Sequence, residues 1–572
     1  MCGIAGIYGE GDIRAMTRRL VHRGPDDEGF HHDRDVQLGV RRLAIVDRIG
    51  GRQPLTNAQG HWIAYNGELF NFLDLRRELE AKGHRFRTQS DTEVVLNSYA
   101  EWGISCLSRF VGMFAFAIWD GRQFFLARDR LGEKPLFYAR RGHRFLFASE
   151  IKALLAEIPA EPNVDDRFPV LETALEPETL FKGIYSVEPA QWLTFNGHEL
   201  KTGVYWELPD GPSDPRPDHE IVDELRGLIA AIVRDRFHAD VPVGLFLSGG
   251  LDSSLIGAIA RPAKVFTCRL PYGEAYDEFV HAQTAARALG AEHIVVTLTP
   301  EEFVSELPRI IWHIDQPIAT ASTAAEFALA RAAREHVRVV LGGQGADEAF
   351  GGYVRHVLLA TERRLAEAPL LQGYMPLARI LWGNRAFTDP ADRYFELLHR
   401  GVGRAEPFRE VAHQLFARHR RSLVDQMGAV DFALAFPSLI AMNDRAAAAY
   451  GLENRTPFLD HRLLEFAFRL PPHAKIMGEA TKVVLRRVAQ DFVPASIIGR
   501  PDKKGLAVPA GRWLAGPAGP WAQDLAKSLK RRGISIQPRT NRGEFDRSLF
   551  TAVSLELWFR TFIDRNGEGP IG

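Results

Sequence analysis

The sequence predicts an α/β protein made of two unlike halves. Three observations carry this. Short β-type runs fill the first third, a proline-rich break follows at 209–218, and beyond it strands alternate with helices. At 572 residues the chain is too long for a single core.

In the first part, VQLGVRRLAIVD, HWIAYNGELFN, MFAFAIWD, QFFLARD and HRFLFASE are separated by Gly, Asp or Asn turns and read as strands. FVGMFAFAIW (110–119) is the densest apolar run, too short to span a bilayer, and reads as a buried strand. FLDLRRELEAKG (72–83) reads as a helix that ends on a capping glycine. PDGPSDPRPD (209–218) has four prolines in ten residues and can hold neither helix nor central strand. It reads as a linker between a domain at 1–208 and a second at 219–515, with a tail at 516–572 to which the sequence assigns no role. The second domain opens with an amphipathic helix, EIVDELRGLIAAIVRDRF. VPVGLFLSGGLDSSLIGAIA then reads as strand, Gly-rich turn and helix. KVFTCRL, HIVVTLT and VRVVLGG read as strands, DEFVHAQTAARALG as a helix, and the alternation predicts a parallel sheet covered on both faces. From about Glu362 the pattern is mostly helical.

Composition narrows the class. Hydrophobic residues are 46% and charged residues 25%, an ordinary globular mix. A formal net charge of −1 gives no electrostatic reason to expect nucleic acid or an anionic membrane as partner. The three cysteines, Cys2, Cys106 and Cys268, support neither a disulfide framework nor a structural zinc site, which predicts a reducing compartment. No unbroken apolar stretch reaches membrane-spanning length, and MCGIAGIYGEGDIR lacks the features of a signal peptide. The expectation is a cytoplasmic protein that starts at Met1, or at Cys2 after trimming.

Cys2 raises the first chemical question. A thiol is a nucleophile only as thiolate. If Met1 is removed, Cys2 gains a free α-amine whose pKa lies near neutrality and which can take the thiol proton directly or through one water. Gly3 lets the backbone bend beside it. Alone, an N-terminal cysteine is more often incidental than catalytic. HRGPDDEG (22–29), RRLAIVD (41–47), YNGELFN (65–71), SDTE (90–93), DRLGEKPLFY (129–138) and FASEIKAL (147–154) follow it in order. This segment resembles the class II glutamine amidotransferase domain, an αββα N-terminal-nucleophile (Ntn) hydrolase sandwich. The resemblance implies that Cys2 attacks the glutamine side-chain amide, with Asn66 and the Gly67 N–H as oxyanion hole. It further implies that Arg42 holds the substrate carboxylate and that Asp91 and Glu68 hold the substrate ammonium. His22 then serves as a structural turn residue rather than as a base.

LFLSGGLDSS (245–254) is the second chemical motif. Gly249 and Gly250 permit close backbone approach, Ser248, Ser253 and Ser254 add hydroxyls, and the helix N-terminus favours anions. No GKS or GKT follows, so it is not a Walker A loop. The SGGxDS pattern resembles the pyrophosphate loop of ATP pyrophosphatases, which have a Rossmann-like parallel sheet. LGGQGADEAFGGY (341–353) is its partner. The resemblance implies ATP contacts from Leu247, Ser248, Gly249, Gly250, Asp252, Ser253, Ser254, Gly342, Gly343 and Gln344. Asp252 and Asp347 would hold Mg²⁺, helped by Glu348, as hard carboxylate oxygens do. LENRTPFLDHRLLEFAFRLP (452–471) and TKVVLRR (481–487) match the helical part of the family, placing Lys482 on the α-phosphate. RPDKKGLAVPAGRWL (500–514) completes the match.

Together the halves resemble the glutamine-hydrolysing asparagine synthetases. The resemblance implies that ammonia from glutamine travels inside the protein to a β-aspartyl-AMP made from aspartate and ATP, giving asparagine, AMP and pyrophosphate, commonly in a homodimer. Two positions depart from that family. Gln344 stands where a glutamate is common, and a neutral carboxamide cannot take a proton from ammonia. Thr320 stands where an arginine is common, which removes a clamp for an aspartate α-carboxylate. These departures keep open an alternative, amidation of a different carboxylic acid in a natural-product or surface-glycan pathway. A non-catalytic protein that keeps the fold is the third reading.

Overall fold

The computed structural model describes every residue except 274–275, 373–374, 384–386, 400, 402, 420–421, 501–505, 538–546 and 570–572. Part of the motif at 500–514 and part of the tail therefore lie outside the described residues.

The N-terminal half stacks two six-stranded antiparallel sheets. One runs Ile184–Ser186, Phe137–Arg141, Arg144–Ala148, Gly3–Tyr8, Val36–Arg42, Asp27–Asp33. The other runs Leu200–Val204, Gln191–Phe195, Phe124–Arg128, Gly112–Trp119, Trp62–Leu69, Leu55–Thr56. Alternation of side chains along each strand sorts the apolar residues between faces. Ile4, Val36, Leu38 and Val40 meet Ala64, Ala115, Ala117 and Leu193 between the sheets. On the outer face of the second sheet, Tyr65, Phe114 and Phe116 pack under the helices Phe72–Ala81 and Asp91–Trp102. On the outer face of the first, Ala5, Ile7, Leu146 and Ala148 pack with Ile13, Met16 and Leu154, and also with Phe303, Ile310, Phe327 and Trp558 from the far half of the chain. This is the expected αββα sandwich, and its outer face doubles as the contact with the other half.

Residues 209–217 form neither helix nor strand, and the helix Asp218–Phe237 follows. The second half carries a five-stranded parallel sheet in the order Glu292–Thr297, Lys264–Arg269, Val243–Phe246, Val339–Leu341, Glu453–Arg455. The last strand lies within the motif at 452–471, in the stretch that reads as mostly helical. Glu453, Asn454 and Arg455 pair in parallel with Val339, Val340 and Leu341 and are all buried. Three polar residues carry no apolar periodicity, so nothing in the pattern marks them as a strand.

Beyond the sheet the structure is helical. Among the described residues one helical stretch, Leu423–Ala448, is long and apolar enough to cross a membrane by length and composition. The sequence pattern had marked no such stretch, since acidic residues interrupt it. Here 67% of its apolar window is buried inside the protein, and its Asp431 is bonded to His356 and Tyr394. The tail packs as core. In the helix Ser548–Trp558, Ser554 Oγ accepts from the Ile318 N–H, and Trp558 Nε1 donates to the Asp315 carbonyl at 3.1 Å.

The two halves are joined by buried charges. Arg23 donates to the Cys2 carbonyl at 3.0 Å, to Glu150 at 2.8 Å and to Asp444 at 2.9 Å. Glu150 also meets His22, Lys152 and Arg445, while Asp315 meets Lys152 and Arg445. Burial opposes ionisation of Glu150, yet Arg445, His22 and Lys152 hold it well below the usual carboxylate range. His22 is a structural residue here, as expected.

Removing one member of such a network strands its partners. Arg23→Met is expected to destabilise the protein by about 3–5 kcal/mol in denaturant unfolding. A loss under about 1 kcal/mol would mean that the network contributes no more than surface pairs do.

Candidate active sites

Cys2 begins the strand system of the first sheet and sits between the sheets, 7% exposed. Its backbone N–H donates to Asn66 Oδ1 at 2.8 Å. That bond turns the Asn66 carboxamide so that Nδ2 is buried with no partner. A buried amide N–H without an acceptor is costly. That orientation leaves an unused N–H donor next to Cys2. Gly67 follows on the same strand, Trp62–Leu69.

Around them lie the predicted substrate residues. Arg42 is 5% exposed, and its guanidinium donates to the carbonyls of Arg48 at 3.0 Å and Asp47 at 2.7 Å. Those carbonyls hold it in place without neutralising it. Asp91 N-terminates a helix capped by Ser90, and its Oδ2 accepts the Leu69 N–H at 3.0 Å. Burial pushes Asp91 up to about 6. Glu68 lies 3.2 Å from Arg455, a residue of the other half, and burial pushes it well above the usual carboxylate range despite that cation.

The structure adds two residues that sequence reasoning missed. Glu453 holds the α-ammonium of Met1 at 3.0 Å and accepts from Arg455 Nε at 2.7 Å. Burial would raise Glu453, but the Met1 ammonium and Arg455 bring it down to about 2. Glu68, Asp91 and Glu453 are thus three buried carboxylates near the Met1 amine and Arg455, and Lys134 acts on Glu453 as well. With Met1 in place, burial pushes the Cys2 thiol up, outweighing the N-terminal ammonium and Arg42. Alternating charge at 453 and 455 was the available signal, since residues two apart in a strand share a face.

The second site lies at the carboxyl ends of Val243–Phe246 and Val339–Leu341. These are adjacent strands at which the sheet order reverses, the place where open α/β sheets bind ligands. Leu247 N–H pairs with the Phe266 carbonyl at 2.8 Å, extending the strand into the loop. Gly249 has φ +70°, and a Cβ there would sit 2.3 Å from Ala282 N, so only glycine fits. Ser248 Oγ accepts the Gly250 N–H at 3.2 Å and lies 3.1 Å from Ser253 Oγ, which fixes the turn before the helix Leu251–Ala260.

Lys482 connects the parts. Its backbone is left-handed (φ 52°), and its Nζ lies 2.7 Å from Asp252 Oδ2 and 2.7 Å from Asp347 Oδ1. The two acids predicted to hold a metal and the lysine predicted for phosphate are therefore one cluster. Two hard carboxylates converging on one cation fit Mg²⁺ by donor chemistry. Glu348 accepts from Tyr353 OH, and burial pushes it up to about 7.

A cavity of about 240 Å³ opens beside this cluster, lined by Leu247, Ser248, Asp252, Ser253, Gly343, Gln344 and Asp347 among others. Gln344 turns its carboxamide back toward Gly342, and its Oε1 is buried without a partner. Ser254 lines a separate cleft with Ala258, Arg261 and Pro494, because each helical residue is rotated about 100° from the last and Ser253 already faces the cavity. Thr320 Oγ1 lies 3.2 Å from Ser322 Oγ, at the start of the helix Ser322–Arg334.

The Lys482 cluster tolerates no added bulk. A Cβ on Gly352 would sit 2.0 Å from Asp347 Oδ1 and 2.2 Å from Lys482 Cε. Gly352→Ala is expected to cost about 1–3 kcal/mol in unfolding experiments by forcing that ion pair apart. An unchanged midpoint would contradict the tight packing.

Comparison with known proteins follows the same division. Residues 1–206 match the glutamine amidotransferase domain and residues 224–558 match asparagine synthase, a span that reaches into the tail. Asparagine synthetase (glutamine-hydrolyzing) 1 of Bacillus subtilis is 33% identical, covering 92% of this chain and 90% of its own. A putative asparagine synthetase (glutamine-hydrolyzing) of Mycobacterium tuberculosis is 33% identical, covering 99% of this chain and 96% of its own. Asparagine synthetase (glutamine-hydrolyzing) 3 of Bacillus subtilis is 32% identical over 87% of this chain and 86% of its own. The chain belongs to the asparagine synthase family.

Proposed function

We propose that this protein makes asparagine from aspartate, with ATP to activate the acid and glutamine to supply the nitrogen. One observation carries the reading most directly. The strand Glu453–Arg455 gives its side chains to the Cys2 site, while its neighbour Val339–Leu341 runs into the loop that lines the second cavity. Two chemistries thus share one sheet edge.

In the glutaminase half, Met1 is removed and Cys2 Sγ attacks the glutamine side-chain amide carbon. The Cys2 α-amine takes the thiol proton and passes it to the leaving ammonia. Asn66 Nδ2 and the Gly67 N–H receive the oxyanion. Arg42 grips the α-carboxylate, while Asp91 and Glu68 receive the α-ammonium. Water then hydrolyses the acyl-cysteine and releases glutamate.

In the synthetase half, the loop 247–250 and the helix N-terminus behind it cradle the ATP phosphates. A β-carboxylate oxygen of aspartate attacks the α-phosphorus and pyrophosphate leaves. The Lys482 ammonium offsets the charge that builds on the α-phosphate. Mg²⁺ held by Asp252 and Asp347 would supply further neutralisation of phosphate charge. Ammonia that reaches this site unprotonated attacks the acyl-adenylate, and AMP leaves. A path that excludes water keeps it in that form.

A second reading, amidation of another carboxylic acid, has specific support. Among the described residues lining the cavity none is basic, and Thr320 offers no cation for an α-carboxylate. The deciding assay follows pyrophosphate release with ATP, Mg²⁺ and glutamine across candidate acids. Aspartate-dependent pyrophosphate, with asparagine and AMP in equal amounts, supports asparagine synthesis. Intact glutaminase activity with pyrophosphate release that depends only on another acid supports the second reading.

Cys2→Ala is expected to lower glutamine hydrolysis by about 10³-fold or more, while free ammonia still supports amide formation. Loss of both activities together would contradict separate sites. Acid dependence follows from Asp91, which titrates at about 6. Below that value it is protonated and cannot pair with the substrate ammonium. kcat/KM for glutamine should therefore fall roughly tenfold per pH unit below about 6. In Asp91→Asn that contribution should vanish, with kcat/KM low at every pH and a shallower acid limb left to the Cys2 amine and Glu68.

A further inference from the structure

The synthetase cavity contains a carboxylate that the mechanism above leaves unused. Glu326, on the helix Ser322–Arg334, lines it together with Ser248, Asp252, Gln344 and Asp347. No hydrogen bond or ion pair to Glu326 is found among the described residues, and its Oε2 is buried without a partner. Every other carboxylate at the cavity is engaged. Asp252 and Asp347 meet Lys482, Glu348 meets Tyr353 OH, and Glu278 meets Arg500.

Its position on the helix is informative. Leu329 is one turn further along and lines the same cavity. Leu329 also belongs to an apolar cluster with Met1, Leu43, Ile45, Phe266 and Val340. Glu326 therefore stands where the cavity adjoins the apolar packing that leads back to the N-terminus. Burial pushes Glu326 up to about 8, with no charged neighbour offsetting it. A base of that strength is matched to proton transfer near neutral pH.

We propose that Glu326 is the general base of the amide-forming step. The proposal rests on the ATP-dependent amidation described above, whichever acid is the acceptor. The ammonia nitrogen donates its lone pair to the acyl carbon, a C–N bond forms, and the carbonyl electron pair moves to oxygen. One N–H proton passes to the Glu326 carboxylate. The carbonyl re-forms, the acyl C–O bond to AMP breaks, and AMP leaves with that electron pair. Ammonia and acyl-adenylate thus give neutral amide, AMP and one proton, and the proton has a place to go. Gln344, facing the same cavity, cannot accept it.

The test separates acid activation from amide formation in the full-length enzyme. Glu326→Gln is expected to lower ammonia-dependent amide formation by about 10²–10⁴-fold. Acid-dependent pyrophosphate release and glutamine hydrolysis should stay within about threefold of wild type, so the glutaminase activity reports that the variant folds. Hydroxylamine in place of ammonia should lose less, because its N–H is more acidic once bonded to carbon and depends less on a base. Glu326→Asp keeps the acid and should retain more amide formation than Glu326→Gln, which preserves the test if the glutamine variant fails to fold. Amide formation within threefold of wild type in Glu326→Gln would overturn the proposal. So would a parallel loss of pyrophosphate release, which would make Glu326 a substrate-binding residue. Wild-type enzyme that released pyrophosphate with no acid would instead overturn the functional reading itself.

Discussion

The structure depends on one constraint: charges buried where the two halves meet must all be paired. Moving a carboxylate or guanidinium out of water costs several kcal/mol, which only close partners offset. Glu150, Asp444 and Asp315 find theirs in Arg23, Lys134, Lys152 and Arg445. Glu453 and Glu68 find theirs in the Met1 amine and Arg455. Neither half supplies a complete set. The sandwich and the parallel sheet are therefore stable in one relative placement, and that placement fixes the distance and direction from Cys2 to the second cavity.

The N-terminus sits at the hinge of this arrangement. Met1 is 1% exposed and belongs to an apolar cluster with Leu43, Ile45, Phe266, Leu329 and Val340, of which Phe266 and Leu329 also line the synthetase cavity. While it is present, its amine serves Glu453 and the Cys2 nitrogen is an ordinary amide bonded to Asn66. Under the proposed function, removal of Met1 frees the base that Cys2 needs.

Much of this was legible in the sequence. Alternating strands and helices foretold the parallel sheet, and SGGLDSS marked its ligand-binding edge. Lys482, Asp252 and Asp347, singled out by separate motifs far apart in the chain, meet in 2.7 Å contacts. Other features left no local trace. Glu453–Arg455 is a strand without an apolar residue, held by its neighbours and by ion pairs across the halves. Glu326 sits in an alanine-rich helix where a lone glutamate reads as a solvated residue, and only tertiary packing turns it inward. Ser254, which the motif also names, is carried by helical rotation to line another cleft. The tail from 516 gave no motif, yet Trp558 and its neighbours complete the core beneath the first sheet.

The central claim is that Cys2 acts only once Met1 has been removed. Intact-mass analysis of the purified protein, paired with glutamine hydrolysis on the same sample, tests it most directly. The account predicts a mass lower by one methionine residue, with glutaminase activity in proportion to the trimmed fraction. A population that retains Met1 and hydrolyses glutamine at the full rate would contradict it.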